Sequence, residues 1–191
     1  MDYQELASII SKEPTAQLKR IKAFYLVREI PYQTNTGYDL ESILKWESGN
    51  CKAKSDLLAR LLEDLGYKTR GILARYKLVD FPTEVQFIPD QIDYHHTLQV
   101  LINNNWVLVD STHDKHLASL GFRVCEWDGA QDTEMAVDPI EFMVKGDLNI
   151  SFKERFINFV EELDFACEKY PEELDRYQMQ FNKILEKQRT N

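Results

Sequence analysis

Apolar residues recur at steps of three and four along the first part of the chain. Between Asp2 and about Glu29 this pattern predicts two helices, with Pro14 as the break between them. Pro31 ends the second helix, and a polar loop then leads to a short helix expected near Leu40 to Leu44. The N-terminal part of the chain is therefore expected to be helical.

A longer amphipathic helix is expected to begin at Cys51. Apolar residues between Ala53 and Leu65 form a one-sided stripe, and Gly66 stands where a left-handed C-terminal cap is favoured. Asn50 is a good N-cap residue. The pattern thus places Cys51 in the first turn of a helix that buries its apolar face.

After Gly66 the composition becomes typical of β-strands. Thr69 to Tyr76, His95 to Ile102 and Trp106 to Asp110 are predicted strands, and Pro82 to Asp90 is a predicted loop. The last two strands are joined by Asn103-Asn104-Asn105, and asparagine tolerates the positive φ angles of hairpin turns. Helices followed by antiparallel strands indicate an α+β fold.

Helical spacing returns near the C-terminus. Ser151 to Glu154 is a capping box that opens one predicted helix, and Pro171 opens another. We expect these two helices to form a helical hairpin that packs on the core. Residues 1–150 are therefore expected to form the core with its N-terminal helices, and residues 151–191 a helical extension.

Composition narrows the class of protein. With 43% hydrophobic residues, the 191-residue chain can bury one sizeable core. Its formal net charge of −9 would repel a phosphate backbone, so nucleic acid is not expected as a partner. Neither a membrane-spanning stretch nor a signal peptide is evident, so we expect a soluble, cytoplasmic protein without a membrane partner.

The cysteines are odd in number and sparse, which argues against a disulfide framework and leaves at least one free thiol. Cys125 lies in the strand-like run Arg123 to Trp127, and Cys167 lies in a predicted helix, so both are expected to be packing residues. Cys51 is different, because backbone N–H groups and the helix dipole at a helix N-terminus stabilise a thiolate. Cys51 is therefore the candidate nucleophile.

A thiolate that attacks a carbonyl needs a base, and the base needs a carboxylate or amide that holds its tautomer. A two-residue turn at Asn103-Asn104 puts His95 on the face of Asp110, one diagonal step away, and points His96 to the opposite face. A three-residue turn would exchange the two histidines. We favour the two-residue turn, and hence His95, because asparagine tolerates positive φ.

Together these pieces resemble the core of the transglutaminase-like superfamily. The resemblance rests on Ser48-Gly49-Asn50-Cys51-Lys52-Ala53, Gly66-Tyr67-Lys68-Thr69-Arg70, His95 through Val100, and Trp106 through Thr112. It covers about Leu18 to Thr112 and aligns the family's histidine with His95. It implies a papain-like fold, with the helix of the nucleophile on an antiparallel sheet, and a catalytic triad of Cys51, His95 and Asp110.

The chain also departs from the family pattern. Thr97 and Gln99 replace a tryptophan and a glutamate that family members commonly carry, and Ser111 replaces a proline. The triad is intact, but the lost tryptophan removes the basis for assigning a relative's substrate preference. The calcium sites and β-sandwich domains of animal transglutaminases have no counterpart here, so neither calcium nor any other cofactor is expected.

Two further groups of polar residues invite a functional interpretation. The backbone N–H of Cys51 can stabilise an oxyanion, and Tyr32, Gln33 or Trp46 are candidates for the second donor, although Trp46 is favoured as a core residue. A dense set of ligand-type residues that follows the last predicted strand is a candidate metal site, and it comprises Asp110, His113, Asp114 and His116. Their spacing fits no compact metal motif, so a polar loop without a metal is favoured.

Three functions are consistent with these residues. The favoured one is a thiol hydrolase, a peptidase or amidase, that cuts the amide bond of a peptide, protein or small molecule through a thioester. An acyl transferase would use the same residues with an amine in place of water, and a non-catalytic binding module would keep only the fold. Hydrolysis is favoured because the sequence shows no evident amine site.

Overall fold

The computed structural model describes residues 2–77, 92–144 and 171–190. Its helices are α1 (Tyr3–Ser11), α2 (Ala16–Arg28), α3 (Leu40–Trp46), α4 (Cys51–Asp64), a 3₁₀ helix (Lys115–Leu120) and α5 (Pro171–Thr190). Its strands are β1 (Thr69–Lys77), β2 (Ile92–Ile102), β3 (Asn105–Val109) and β4 (Pro139–Val144).

The helices predicted for the N-terminal part are confirmed. The side chains of Asp2 and Thr15 cap α1 and α2 by accepting hydrogen bonds from backbone N–H groups in the first turn of each helix. Asp39 caps α3 in the same way, and α3 extends two residues beyond the expected Leu44. Short polar side chains thus satisfy the N–H groups that these helices leave without an internal partner.

Helix α4 begins at Cys51, as predicted. The Oδ1 atom of Asn50 accepts a hydrogen bond of 3.0 Å from the backbone N–H of Ala53. After the other end, Gly66 adopts a φ of 87°, and its N–H donates to the carbonyl of Glu63. The buried face of α4 includes Leu57, Leu58, Leu61 and Leu62.

The four strands form one antiparallel sheet in the order β3-β2-β1-β4. In the β2–β3 hairpin, Ile102 lies opposite Asn105 and Leu101 opposite Trp106. The turn residues Asn103 and Asn104 have φ angles of 50° and 65°. The two-residue turn and its register are therefore confirmed, since both turn positions adopt the positive φ that asparagine tolerates.

The main core lies between the N-terminal helices, α4 and the sheet. Burial of apolar side chains between these layers is the main stabilising contribution to such a fold. Its members include Ala23, Phe24, Val27, Leu57, Leu58, Leu61, Leu98, Val100, Val107 and Trp127. A smaller cluster, formed by Leu117, Phe181 and Leu185, joins α5 to the 3₁₀ helix. The predicted α+β class, with α4 packed on an antiparallel sheet, is confirmed.

Other sequence expectations are wrong. The segment from Arg123 to Trp127 is irregular rather than a strand, because the Arg123 and Trp127 side chains bond to the backbone carbonyls of Met135 and Gln131 in a folded loop. Strand β4, which pairs with β1, was not expected. Trp46 is not a core residue, because it is 62% exposed.

Several expectations lie outside the described residues. These are the loop from Pro82 to Asp90, the helix that begins at Ser151, Cys167, and the boundary between residues 150 and 151. Among the helices that the structure does describe, none is long and apolar enough to span a membrane.

Candidate active site

Cys51 is the first residue of α4, where backbone N–H groups have no partner within the helix. The residues before it pair with the segment that follows α2, since the Gly49 N–H donates to the carbonyl of Pro31 at 3.0 Å. A Cβ atom on Gly49 would lie 2.7 Å from Cδ1 of Ile43, so a larger residue here would require the Ile43 side chain to shift. The bridge between Tyr32 and Gly49 brings the segment after α2 next to the start of α4.

His95 and Asp110 meet across the β2–β3 hairpin. The Nε2 atom of His95 lies 2.7 Å from Oδ2 of Asp110, and the two side chains are 3% and 0% exposed. The Cys51 side chain is within hydrogen-bond reach of the same imidazole. Because Nε2 contacts the carboxylate, Nδ1 is the ring nitrogen left to face the thiol. The structure thus brings together the three residues that the sequence singled out.

The charges of this group depend on one another. Burial lowers the pKa of His95, but the charge and hydrogen bond of Asp110 outweigh it, with a contribution from Cys51, and raise that pKa to about 10. Burial raises the pKa of Asp110, but His95 and backbone hydrogen bonds lower it to about 2. The arrangement therefore favours an imidazolium on His95 paired with a carboxylate on Asp110 over two neutral groups.

Asp110 is held by residues that the sequence analysis did not select. Its Oδ2 atom accepts a hydrogen bond of 2.8 Å from the Ala136 N–H, and its Oδ1 atom accepts one of 3.1 Å from the Thr112 N–H. Its own N–H donates to Oγ1 of Thr133 at 3.0 Å. Two of these three partner groups are backbone N–H groups, which carry no side-chain signal that a sequence could reveal.

His96 lies on the opposite face of β2 from His95. It is half-buried, and its carbonyl accepts a hydrogen bond of 3.0 Å from Oγ of Ser55. Thr97 is buried, and its hydroxyl donates to the carbonyl of Val109 at 2.9 Å. The parity of the strand thus separates the two histidines, as the hairpin register predicts.

The three candidates for the second oxyanion donor have different surroundings. Trp46 is exposed, with the Lys45 ammonium over its ring. The Gln33 side chain is engaged, because it accepts from Ser48 and donates to Glu186. Burial raises the pKa of Tyr32 well above its usual value, and the charge of Cys51 is the next cause. Of the three candidates, Tyr32 is therefore the one for which an electrostatic interaction with Cys51 is found.

The ligand-type residues that follow β3 do not converge. The Nδ1 atom of His113 lies 2.9 Å from the carbonyl of Arg123, and burial lowers the pKa of His113 to about 4. Asp114 instead pairs with Arg189 at 2.6 Å and accepts the backbone N–H of Tyr32 at 2.9 Å. Across the described residues, no group of three or more histidine, cysteine or acidic side chains is arranged to hold a metal ion.

A buried lysine near the thiol was also missed. Lys54 is 0% exposed, and its Nζ atom donates to the carbonyls of Arg28 and Ile30 at 3.0 and 2.7 Å. Burial lowers the pKa of Lys54 to about 7. The lysine caps the C-terminal end of α2 and thereby holds the start of the segment that carries Tyr32. The sequence did contain a sign of this burial, because Lys54 lies on the apolar face of the predicted helix.

The two described cysteines have contrasting environments. Cys125 is buried and donates a weak hydrogen bond to the carbonyl of Glu134, and burial raises the pKa of this thiol to about 12. Cys51 is partly exposed at the start of its helix. This contrast is consistent with the expectation that Cys125 is a packing residue.

Comparison with known proteins adds one family and two structures. The model of a family described as the transglutaminase-like superfamily matches residues 4–111. A crystal structure of a TGase is 16% identical at a TM-score of 0.44, with 62% of this chain and 34% of that chain covered. A protein from Cytophaga hutchinsonii, named provisionally as a cysteine protease, is 15% identical at a TM-score of 0.44, with coverage of 75% and 50%.

The chain thus spans about a third and a half of the lengths of these two solved proteins. Among curated proteins no match is found.

Proposed function

Since this chain belongs to the transglutaminase-like superfamily, with residues 4–111 matched, we propose that it is a thiol hydrolase acting as a peptidase or amidase. The observation that carries the proposal is the buried 2.7 Å contact between His95 and Asp110, next to a thiol at a helix N-terminus. A thiol, a base and a group that orients the base are the parts that nucleophilic catalysis requires.

In the proposed acylation step, the Cys51 thiolate attacks the carbonyl carbon of an amide. The new C–S bond forms as the carbonyl π electrons move to oxygen, which becomes an oxyanion. The backbone N–H of Cys51 stabilises this charge, and the Tyr32 hydroxyl is the second donor that we propose. The intermediate then expels the amine, which takes a proton from the His95 imidazolium, and a thioester remains.

Deacylation uses the same residues, but His95 now accepts a proton instead of donating one. Neutral His95 removes a proton from water as the water oxygen bonds to the thioester carbon. The second oxyanion collapses, the C–S bond breaks, and a carboxylic acid leaves while the thiolate and imidazolium are restored. Asp110 stays ionised throughout, because its role is to orient and stabilise the imidazolium.

The test uses p-nitrophenyl acetate as a generic acyl donor. We expect a burst of p-nitrophenol and an acetyl adduct on Cys51, identified by peptide mass, followed by release of acetate in water. Cys51→Ala should lose both signals, and Cys125→Ala, the matched control, should keep them. The proposal would be wrong if the adduct formed on Cys125 or Cys167, or if Cys51→Ala kept the burst.

A further inference from the structure

The backbone around Tyr32 is hydrogen-bonded on two opposite sides. On the side of α4, the Gly49 N–H donates to the Pro31 carbonyl at 3.0 Å, and the Gln33 N–H donates to the Gly49 carbonyl at 3.2 Å. In an extended chain, the N–H and carbonyl of one residue point to the same side, and those of its neighbours point to the other. The N–H and carbonyl of Tyr32 therefore face away from Gly49.

A single ion pair binds this second side of the backbone. Oδ2 of Asp114 accepts a hydrogen bond of 2.9 Å from the Tyr32 N–H, and Nη2 of Arg189 donates to the Tyr32 carbonyl at 2.8 Å. The same two atoms, Oδ2 and Nη2, lie 2.6 Å from each other. A carboxylate and a guanidinium thus supply the acceptor and the donor that a neighbouring strand would otherwise supply.

The ion pair is largely shielded from water. The Asp114 side chain is 1% exposed and the Arg189 side chain 14%. Burial raises the pKa of Asp114, but the hydrogen bonds from Arg189 and Tyr32 and the charge of Arg189 outweigh it and lower that pKa. Charge-assisted hydrogen bonds of this kind are shorter and stronger than those between neutral groups. The ion pair therefore holds the Tyr32 backbone more firmly than a neutral pair of groups would.

The position of the Tyr32 side chain follows from that of its backbone, which sets the direction of the Cα–Cβ bond. The Tyr32 ring is perpendicular to the ring of His113, with centroids 5.3 Å apart. Burial raises the pKa of Tyr32 well above its usual value, and the charge of Cys51 raises it further. A displacement of the Tyr32 backbone would therefore move a hydroxyl that interacts with the thiol.

Arg189 belongs to the last turn of α5, whose position does not depend on this ion pair alone. Phe181 and Leu185 form a buried apolar cluster with the 3₁₀ helix. Gln188 donates a hydrogen bond of 2.6 Å to Oγ of Ser119, in the same 3₁₀ helix. The contacts that dock α5 and the contact of Arg189 with Tyr32 can therefore be removed separately.

We propose that Asp114 and Arg189 are positioning residues, which hold the Tyr32 hydroxyl at the place where the oxyanion develops. The inference rests on the proposed function, in which this hydroxyl is the second oxyanion donor. Such donors stabilise a transition state because they are in place before the charge develops, and removal of one costs about 10²- to 10³-fold in rate. A displacement of about 1 Å can cost about 10²-fold. The last turn of α5 is thereby a functional part of the site.

The test compares two reactions of Cys51. Acylation by p-nitrophenyl acetate passes through an oxyanion, whereas alkylation by iodoacetamide does not. Arg189→Met keeps most of the side-chain length but removes both contacts, so it should slow acylation at least about tenfold and change the alkylation rate by less than about twofold. Gln188→Ala, the matched control on the same helix, should leave both rates unchanged. Equal slowing of the two reactions, or of neither, would overturn the proposal.

A double-mutant cycle separates a positioning role from a purely structural one. Tyr32→Phe removes the hydroxyl and should slow acylation by about 10²- to 10³-fold. If Arg189 acts through that hydroxyl, Arg189→Met should slow acylation by less than about twofold more in the Tyr32→Phe background, although it lowers the melting temperature in both backgrounds. The full additional loss in the Tyr32→Phe protein would also overturn the proposal.

A second variant covers the case in which Arg189→Met does not fold, since that substitution leaves a buried carboxylate without its cation. Asp114→Asn combined with Arg189→Met removes both charges at once, and the same rates and the same cycle apply to it. Absence of acylation in the unmodified protein would contradict the hydrolase proposal and this inference with it. Unchanged acylation in the folded variants, beside an unmodified protein that is acylated, would contradict this inference alone.

Discussion

The part of the chain matched by the family and the part beyond it contribute differently to the candidate site. Residues 4–111 hold Cys51, His95 and Asp110 on a helix start and a β-hairpin. Residues after 111 supply groups that hold or surround these three, such as the Ala136 N–H and the α5 side chains of Tyr177 and Phe181. The proposed chemistry thus depends on a few positions in or next to regular structure. The surroundings of these positions come from a region that contains both regular and irregular structure.

The difference suggests how the two regions should respond to substitution. Changes in the first region should remove the chemistry and leave the fold largely intact, because each reacting group is a single side chain on a well-packed element. Changes in the second region should alter stability and geometry first.

The largest effect should come from His95→Ala. Loss of the base should slow acylation of Cys51 by about 10²- to 10⁴-fold, since general base catalysis contributes in that range. His96→Ala is the matched control, because His96 lies on the other face of the same strand and should cost only a modest loss of stability. The rate of iodoacetamide labelling at Cys51 and the thiolate absorbance against pH would measure this. The reverse ranking of the two variants would contradict the assignment of His95.

A second large effect should follow from Asp110→Asn. The amide cannot balance the charge of the imidazolium, so turnover should fall by about 10²-fold or more. Asp110 also accepts hydrogen bonds from Ala136 and Thr112, so the free energy of unfolding should fall by about 1–3 kcal/mol. Activity and melting temperature should be measured on one sample. Full turnover with a large loss of melting temperature would identify Asp110 as a structural group only.

These two residues also show what the sequence could predict. The register of the hairpin followed from Asn103-Asn104, because turn chemistry and strand alternation are local rules. The partners of Asp110 at Thr133 and Ala136 lie 23 and 26 residues away in irregular structure. Irregular structure has no sequence periodicity, and almost every residue has a backbone N–H group. Such contacts therefore cannot be predicted from the sequence and are seen only in the folded structure.

The second region should respond chiefly in stability, and His113 gives it a pH dependence. Burial lowers the pKa of His113 to about 4, from 6.5, so the folded state favours the neutral ring. A lowered folded pKa means that stability is present above pH 6.5 and is lost as pH falls through 4. The loss should approach about 3 kcal/mol, and Asp110, with a pKa of about 2, should add to it between pH 4 and 2.

His113→Asn tests this contribution, because an amide can replace the Nδ1 hydrogen bond to the Arg123 carbonyl without titrating. Urea unfolding between pH 7 and 4 should show a flatter pH dependence in this variant, whereas His116→Asn, at an exposed position, should match the unmodified protein. Identical slopes in His113→Asn and the unmodified protein would contradict the prediction. Unfolding measurements above pH 7 are less informative, because two contributions to stability oppose each other there. The contribution of His95 is lost as pH rises through 10, whereas the contribution of Lys54 increases above pH 7.

Helix α5 was predicted from its apolar spacing, but its connection to the candidate site was not. The side chain of Asn182 is buried, and its Oδ1 atom accepts hydrogen bonds from the Thr34 N–H and hydroxyl at 3.0 and 3.2 Å. Its Nδ2 atom donates to Oδ1 of Asn35. An asparagine in a helix is ordinarily solvent-exposed. The position of Asn182 in the helical pattern therefore gives no sign that its side chain binds a segment about 150 residues earlier in the chain.

The smallest predicted effect is that of Asn182→Ala, which removes these contacts between α5 and the segment after Tyr32. The free energy of unfolding should fall by about 1–2 kcal/mol, because the buried Thr34 N–H loses its acceptor. Lys183→Ala, at the adjacent exposed position, should have almost no effect. If α5 also positions Tyr32, Asn182→Ala should slow acylation of Cys51 severalfold at a temperature where the protein remains folded, and Lys183→Ala should not. An unchanged acylation rate with reduced stability would limit α5 to a structural role and separate the two regions completely.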